Sequence, residues 1–480
     1  MIRFHHFQII LLLSLAISFG FVSCNNMPVV KEPVQESLSI TDTSPDFKVA
    51  YANHTGWTYN KGIYEVNIRQ YTPEGTFKAF AGHLPRLKEM GVGILWLMPI
   101  NPIGLENRKG SHGSYYSVQD YARVNPEFGS KDDFKSMVEN AHKNGMYVLV
   151  DWVANHTSWD NTLTTSNPEF YLRKDDGSFQ PPPGHEDWTD VIQLDYSNPD
   201  VQDYMVAMLK KWVVETGIDG YRFDYVDGVP VEFWKRAIRE LKGLKPDIFL
   251  LAEGDGVKYH QMGFDMDYCW ALHGWDSGIM RQIYEGKKDV FDLDAFLSTE
   301  KTNYMPEKYR MYFTSNHDEN SWHGTEFEQL GQSAEVFAAL THTLYGMPLV
   351  YSGQEAGMDK RLEFFTKDQI NWNNLVYEKL YSKLNHLRDT CQALWNGAAG
   401  AIPMRIGTSL DESVFAFVRS KNNSMVIVML NLEAETNSFS VESNGYNGTY
   451  YDIISDTTFE LSDKKPVTLK AWGYRVLVRK

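Results

Sequence analysis

This chain of 480 residues contains few cysteines and has no excess of positive charge. Apart from Cys24, only Cys269 and Cys391 are present, too few for a disulfide framework, and we expect them to be two buried thiols. Lys and Arg number 46 against 62 Asp and Glu, and no cluster of five or more basic residues stands out. Because a nucleic-acid backbone is bound by such clusters, nucleic acid is excluded and a neutral or small partner is expected.

Apolar residues are abundant and make up 43% of the chain. This excludes disorder for the bulk of the protein, because that much apolar surface can be buried in a large core. The chain also contains 13 Trp, 27 Tyr and 26 Phe. Most of these rings are expected in the core, and a minority can face solvent and stack on apolar ligand faces such as those of sugar rings.

One long uncharged run, from Ile9 to Val22, follows Arg3 near the start of the chain. It is shorter than the roughly 20 apolar residues that span a membrane, and it is typical of an export signal. Phe21–Cys24 ends the run in the manner of a bacterial lipoprotein signal, which predicts lipidation of Cys24; an ordinary cleaved signal is the alternative. Residues 25–46 are polar and predict a tether. We therefore expect an exported, lipid-anchored protein of the bacterial cell envelope, at the outer membrane, on a periplasmic or surface face.

Strand and helix patterns alternate from about residue 48 onward, which is typical of a parallel sheet covered by helices. Eight strand signals with intervening helices predict a (β/α)₈ TIM barrel over residues 47–395. The predicted strands are Gly62–Ile68, Gly91–Pro99, Gly145–Asp151, Ile218–Asp224, Ile248–Glu253, Phe264–Tyr268, Met311–Asn316 and Met347–Tyr351. Apolar residues at helical spacing predict helices at Leu84–Met90, Lys131–Asn144, Asp200–Thr216, Val231–Leu241 and Ser333–Leu344.

Two parts of the chain depart from this rhythm. Residues 156–195 are rich in Pro, Asn and Asp and predict an excursion, or B domain, after the third strand. Residues 396–480 carry short alternating runs separated by Asn, Gly and Ser, which predict a C-terminal antiparallel β-sandwich domain.

Carboxylates follow several of the predicted strands, at the barrel end where active sites lie. A single such carboxylate is most often a helix cap or part of an ion pair, but four at strand ends favour a carboxylate-based active site. No nucleophilic Ser or Cys motif, phosphate-binding loop or His-x-x-x-His pattern accompanies them, so glycoside cleavage is the favoured chemistry and no organic cofactor is expected. The four are Asp151, Asp224, Glu253 and Asp318.

The residues around these carboxylates resemble, in order, the four sequence regions of the α-amylase family of glycoside hydrolases, family 13. Over about 350 residues, four such regions at barrel-compatible spacing are a specific signal. The regions are Asp151–His156, Gly220–Asp224, Ala252–Glu253 and Phe313–Asp318, and Tyr116–Tyr121, Val191–Asp195 and Gly346–Glu355 provide further matches.

The resemblance implies a catalytic role for three carboxylates. Asp224 would be the nucleophile that forms a covalent glycosyl intermediate, Glu253 the general acid and then base, and Asp318 the residue that binds sugar hydroxyls and stabilises the transition state. Arg222 lies two residues before Asp224, on the same strand face, and is expected to lower the pKa of the nucleophile. Neighbouring acids are expected to raise the pKa of Glu253 so that it donates a proton near neutrality.

The resemblance also implies binding roles. His156 and His317 would hydrogen-bond substrate hydroxyls, and Tyr116 would stack under the sugar of the −1 subsite, which lies immediately on the non-reducing side of the scissile bond. Asp120 and Asp151 are expected to brace the site.

Asn155 and Asp195 match two calcium-ligand positions of the family, which makes calcium a candidate cofactor. Many calcium-dependent members have a Lys-His pair three and four residues after the nucleophile. Asp227 and Gly228 stand there instead, and this difference weakens the case for calcium.

The expected function is retaining hydrolysis of α-1,4-glucosidic bonds in starch, glycogen or maltodextrins, with cleavage inside the chain. A neopullulanase or maltogenic amylase, an exo-acting α-glucosidase and a transglycosylase share the same motifs and stay open. A non-catalytic glycan-binding lipoprotein is the alternative of another class, and the presence of all three carboxylates disfavours it.

Overall fold

The structure, a computed structural model, describes residues 54–443 and 445–479. The predicted signal, the tether and Cys24 lie outside the described residues. The strands up to residue 351 are β1 (Ile63–Val66), β2 (Ile94–Leu97), β3 (Tyr147–Val153), β4 (His156–Ser158), β5 (Val191–Gln193), β6 (Gly220–Asp224), β7 (Phe249–Ala252), β8 (Met266–Tyr268), β9 (Tyr309–Tyr312) and β10 (Met347–Tyr351). Eight of them form a closed parallel barrel in the order β1-β10-β9-β8-β7-β6-β3-β2.

Helices surround this barrel. Within the described ranges they are α1 (Ile68–Tyr71), α2 (Phe77–Ala81), α3 (Leu84–Glu89), α4 (Lys131–Lys143), α5 (Thr162–Ser166), α6 (Pro199–Thr216), α7 (Val231–Leu244), α8 (Val257–Met262), α9 (Ile279–Tyr284), α10 (Val290–Asn303), α11 (Glu326–Leu330), α12 (Ala334–Thr343) and α13 (Glu378–Thr390). The predicted (β/α)₈ barrel is confirmed, and each predicted strand and helix overlaps an observed one. None of the described helices has the length and apolar character needed to cross a membrane.

Local sequence explains where these elements begin and how closely they pack. Ser130 and Asp133 form a capping box that satisfies backbone N–H groups at the start of α4. The four residues of β2 are apolar and fully buried, as a strand covered on both faces requires. Gly220 begins β6 where a Cβ atom would lie 1.9 Å from the carbonyl oxygen of Phe249, so only glycine lets β6 and β7 pair there.

The excursion after β3 contains an antiparallel pair, β4 and β5, in which His156 is the register partner of Gln193. Helix α5 and the loop through residue 190 lie between these two strands. Because β4 begins three residues after β3 ends, the excursion starts at the carboxyl end of the barrel.

The chain after residue 403 forms the antiparallel domain predicted for the C-terminus. Its strands are β11 (Met404–Arg405), β12 (Val414–Lys421), β13 (Ser424–Asn431), β14 (Asn437–Phe439), β15 (Gly448–Asp452), β16 (Thr457–Leu461), β17 (Val467–Leu469) and β18 (Tyr474–Arg479). They form a six-stranded and a two-stranded sheet. Arg419 of β12 donates hydrogen bonds to the carbonyl oxygens of Thr343 and Leu344 at the end of α12, which fastens the domain to the barrel. Cys269 and Cys391 are buried free thiols, as predicted.

Candidate active site

A single buried arginine joins the carboxylates at the carboxyl end of the barrel. Arg222 Nη1 lies 2.9 Å from Asp151 Oδ1 and 2.9 Å from Asp224 Oδ1, and its Nη2 lies 3.0 Å from Glu253 Oε1. The strand registers explain this convergence, because Arg222 pairs with Asp151 across β3 and β6, and Phe223 pairs with Ala252 across β6 and β7. One guanidinium group therefore bridges the two carboxylates that the sequence assigns as nucleophile and acid.

Glu253 is held from its other side by the backbone. Its Oε2 accepts a hydrogen bond of 2.6 Å from the N–H of Tyr225, the residue after Asp224. Tyr225 has φ +41°, in the left-handed region that a bulky residue rarely adopts. Such strain is retained where the surroundings impose it and is concentrated at functional sites. The turn after β6 thus fixes the orientation of the candidate acid.

Burial raises the pKa values of the bridged carboxyl groups. For Glu253 burial is the largest effect and, with Asp224 and Asp318 nearby, it outweighs Arg222 and raises the pKa to about 7. This agrees with the expected proton donor. Burial also raises the pKa of Asp224 to about 7, and Asp151 and Asp318 add to this effect. Arg222 acts to lower the pKa of Asp224, as expected, but desolvation is the larger effect and leaves the pKa raised.

His317 forms the opposite wall of the site. Its Nδ1 contacts Glu65 Oε1, its Nε2 lies 2.7 Å from the Tyr116 hydroxyl oxygen, and the same Nε2 lies 3.3 Å from Asp318 Oδ2. Burial acts to lower the pKa of His317, but Asp318 and Glu65 outweigh it and raise the pKa to about 9. At neutral pH the ring is an imidazolium whose two N–H groups are both directed to acceptors.

Tyr116 lies between His317 and the arginine cluster. Its hydroxyl donates to Asp151 Oδ2 at 3.2 Å, and its ring lies nearly parallel to His317 at a centroid distance of 5.6 Å. The centre of the Arg222 guanidinium lies 5.7 Å from the centroid of the Tyr116 ring. A ring held at three points in this way is a rigid platform beside the carboxylates.

His156 is buried at the start of β4, and burial lowers its pKa to about 3, so it is neutral near pH 7. Asn155 Nδ2 donates to His156 Nδ1 at 3.2 Å, which leaves Nε2 as the N–H donor. Of the predicted bracing residues, Asp151 contacts Arg222 and Tyr116. Asp120 instead accepts the backbone N–H of Ala122 and so braces its own loop.

The two predicted calcium ligands both accept hydrogen bonds from protein groups. Asn155 Oδ1 already accepts a hydrogen bond of 2.9 Å from Gln193 Nε2, and Asp195 Oδ1 accepts from the backbone N–H and hydroxyl of Ser197. Calcium prefers six to eight oxygen ligands, several of them carboxylates. Within residues 54–443 and 445–479, no group of three or more His, Cys, Asp or Glu side chains is arranged to hold a metal ion. The hydrogen bonds of Asn155 and Asp195, and the lack of such a group among the described residues, disfavour calcium at this position.

Several residues that contribute to the site lie outside the sequence regions that resemble the family. Trp96 Nε1 donates to Asp151 Oδ2 at 3.3 Å, Arg222 Nε donates to the Tyr268 hydroxyl at 3.1 Å, and Glu65 holds His317. Glu65 is the most detectable of these residues, because it is a carboxylate inside the otherwise apolar strand signal of β1. The role of Tyr225 comes from its backbone N–H and has no side-chain signature.

A closed (β/α)₈ barrel with an acid, a second carboxylate and a ring platform at its carboxyl end defines a carboxylate-based glycoside hydrolase. The family model for the alpha amylase catalytic domain matches residues 42–182 and 184–397, so the chain belongs to the α-amylase family. The model for the maltogenic amylase C-terminal domain matches residues 407–476.

Relatives match most of this chain. A crystal structure of a maltogenic alpha-amylase from Thermotoga neapolitana is 28% identical, with a TM-score of 0.78 over 87% of this chain and 98% of that one. An alpha-amylase from Lactobacillus plantarum is 26% identical, with a TM-score of 0.78 over 88% of this chain and 100% of that one. "Alpha-amylase 2" of Dictyoglomus thermophilum is 24% identical over 84% of this chain and 70% of its own length.

Proposed function

We propose that this glycoside hydrolase cleaves α-1,4-glucosidic bonds within starch, glycogen or maltodextrins and retains the anomeric configuration. The observation that carries the proposal is the bridge by which Arg222 holds Asp224 and Glu253 on two nitrogens of one guanidinium group. Retaining enzymes need their two carboxyl groups only about 5 to 5.5 Å apart, whereas inverting enzymes leave room for a water molecule between them. A shared guanidinium favours the closer arrangement.

The geometry supports a two-step reaction. A carboxylate oxygen of Asp224 attacks the anomeric carbon of the sugar on Tyr116, the bond to the glycosidic oxygen breaks, and that oxygen takes the proton of Glu253. A water molecule then gives its proton to Glu253 and attacks the same carbon, which releases Asp224. Asp318, beside the charged His317, is placed to bind hydroxyl groups of the sugar as positive charge develops on its ring.

The comparisons favour α-glucans as the substrate, because the relatives reported above are named as amylases. A maltogenic or neopullulanase-type specificity is the second candidate, supported by the match of residues 407–476 to the maltogenic amylase C-terminal domain. An exo-acting α-glucosidase and a transglycosylase share the same catalytic residues. A product profile on maltoheptaose and pullulan separates these four activities.

The activity is tested by the release of reducing sugar from soluble starch and from a maltooligosaccharide panel by the purified protein. We expect wild type to release reducing sugar and Glu253→Gln to have lost the activity while melting at the same temperature. If wild type binds maltooligosaccharides but hydrolyses none of them, the protein is a glycan-binding lipoprotein and the proposed hydrolase is wrong.

We also infer that the protein is exported and anchored by lipid at Cys24. The support is the sequence of the first 24 residues, and an exported location fits an extracellular polysaccharide substrate. Labelling of expressing bacteria with a radioactive fatty acid is expected to mark wild type and not Cys24→Ser. Equal labelling of both proteins would contradict the anchor.

A further inference from the structure

A row of aromatic rings leads from the candidate −1 subsite to the surface. Phe364 lies nearly parallel to Tyr116, at 10° and a centroid distance of 6.2 Å, and Trp322 packs on Phe364 at 5.0 Å. Phe365 also contacts Trp322, at 5.7 Å. We call Trp322, Phe364 and Phe365 the Trp322 platform. Its outermost ring, Trp322, is 47% exposed, whereas Trp96 and Trp152 are fully buried.

The Trp322 platform is built from two segments that are fastened to each other. Trp322 lies on the π-helix Glu319–His323, which directly follows Asp318, and the two phenylalanines lie on a loop after β10. Asn320 Nδ2 donates to the carbonyl oxygen of Lys360 at 3.1 Å, and its Oδ1 accepts from the N–H of Leu362 at 2.9 Å. Ser321 Oγ donates to the carbonyl oxygen of Leu362 at 3.0 Å. The exposed ring is therefore held in place before any ligand binds.

A separate aromatic group identifies the leaving-group side of the site. Tyr225, whose N–H holds Glu253, places its hydroxyl 2.8 Å from His185 Nε2, and His185 stacks on Trp188 at 4.0 Å. Because Glu253 protonates the departing oxygen, the sugar that leaves lies next to this group. The Trp322 platform is instead joined to Tyr116 and follows Asp318. It therefore belongs to the other, non-reducing side of the scissile bond.

We infer that the Trp322 platform stacks on glucosyl units beyond the −1 subsite, on the non-reducing side, and makes this enzyme prefer chains that extend in that direction. The inference rests on the proposed function and adds a specificity determinant to it. An apolar, uncharged ring surface suits the C–H face of a neutral sugar, and rigid aromatic residues bind at little cost in conformational entropy.

The test compares Trp322→Ala with Trp275→Ala. Trp275 is 48% exposed and packs on Trp270 and His323. Trp275→Ala is therefore a matched control, because it removes a similarly exposed ring that is not part of the row starting at Tyr116. The substrates are maltoheptaose labelled at its reducing end, which reaches the platform, and α-glucosyl fluoride, which fills only the −1 subsite. Melting temperatures confirm that each variant folds, and Trp322→Phe tests for rescue by a smaller ring.

For Trp322→Ala we expect KM for maltoheptaose to rise about tenfold, the change that corresponds to losing the burial of one aromatic face. Turnover of α-glucosyl fluoride should stay within about twofold of wild type, because this substrate does not reach Trp322 and so loses no binding energy when the ring is removed. Cleavage also moves toward the non-reducing end, so labelled maltohexaose becomes a larger share of the first products. For Trp322→Phe we expect a KM close to the wild-type value, and Trp275→Ala should behave like wild type on both substrates.

Two results would overturn the inference. An equal loss on both substrates would make Trp322 a support of the catalytic centre, and an unchanged KM with an unchanged cleavage position would mean that no sugar covers it. A wild-type enzyme that turns over α-glucosyl fluoride but no maltooligosaccharide would instead refute the proposed substrate, so the two failures are distinguishable.

Discussion

The buried pair of Glu65 and His317 makes a quantitative prediction about stability and pH. Glu65 is fully buried on β1 and contacts His317 Nδ1, while Asp318 lies beside Nε2. Replacing Glu65 by Gln keeps the shape and an oxygen that can accept the Nδ1–H bond, but it removes the negative charge. We therefore expect the change to act on the charged form of His317 and to leave the neutral form almost unaffected.

The magnitude follows from the pKa of His317, which Asp318 and Glu65 raise from 6.5 to about 9 against the effect of burial. A shift of that size corresponds to about 3 kcal/mol of preference for the imidazolium in the folded state. Because the folded pKa is the higher one, this stabilisation is complete below pH 6.5 and is lost as the pH rises through about 9. Removing the Glu65 charge should cost about 1.5 kcal/mol of it, in the range of a hydrogen bond to a charged group.

The assay is thermal or denaturant unfolding of wild type and Glu65→Gln at pH 6, 7.5 and 9.5. We expect the variant to be less stable by about 1.5 kcal/mol at pH 6, with the difference closing toward pH 9.5. Glu106→Gln, at an exposed position, is the matched control and should show no pH-dependent difference. A difference between wild type and Glu65→Gln that is the same at all three pH values would refute the assigned charge on His317.

Further predictions concern the reaction and the candidate calcium position. Asp224→Asn should retain less than about a tenth of wild-type kcat without unfolding, because covalent catalysis contributes orders of magnitude; greater retention contradicts its role as nucleophile. The kcat/KM for maltoheptaose should fall above about pH 7, where Glu253 loses its proton, and a flat alkaline limb would contradict its role as acid. Dialysis against EDTA should leave the melting temperature unchanged, whereas Gln193→Ala should cost about 1 to 3 kcal/mol by leaving buried Asn155 Oδ1 unpaired. A loss of stability in EDTA that calcium restores would contradict the poor fit of this position to calcium.

The barrel and its central cluster could be predicted because their signals are local in the sequence. Arg222 and Asp224 share a strand and a face, so the alternation of side chains along a strand brings them together. Asp151 lies on β3 and Glu253 directly follows β7, the two strands that flank β6 in the barrel order, and parallel pairing carries both residues to the same edge as Asp224. For these residues, position in an apolar run was sufficient information.

The rest depends on contacts between distant segments or on backbone conformation. Glu65 and His317 are 252 positions apart, and closure of the barrel between its first and last strands brings them together. Tyr225 acts through its backbone N–H group in a left-handed turn, and a tyrosine side chain gives no indication of that conformation. The raised pKa of Asp224 depends on how fully the folded barrel excludes water from this carboxyl group. The sequence of β6 reveals only that Arg222 is its neighbour, so it predicts the lowering effect and not the larger effect of burial.

The central claim is that Asp224 forms a covalent bond to the sugar while Glu253 supplies the proton. It is tested most directly by mixing Glu253→Gln with α-maltosyl fluoride, whose leaving group needs no proton, and digesting the quenched protein for mass spectrometry. The account predicts one maltosyl unit on the peptide that contains Asp224, and none when Asp224 is also replaced by Asn. A maltosyl unit on Asp318, or rapid turnover to a product of inverted configuration with no adduct, would contradict it.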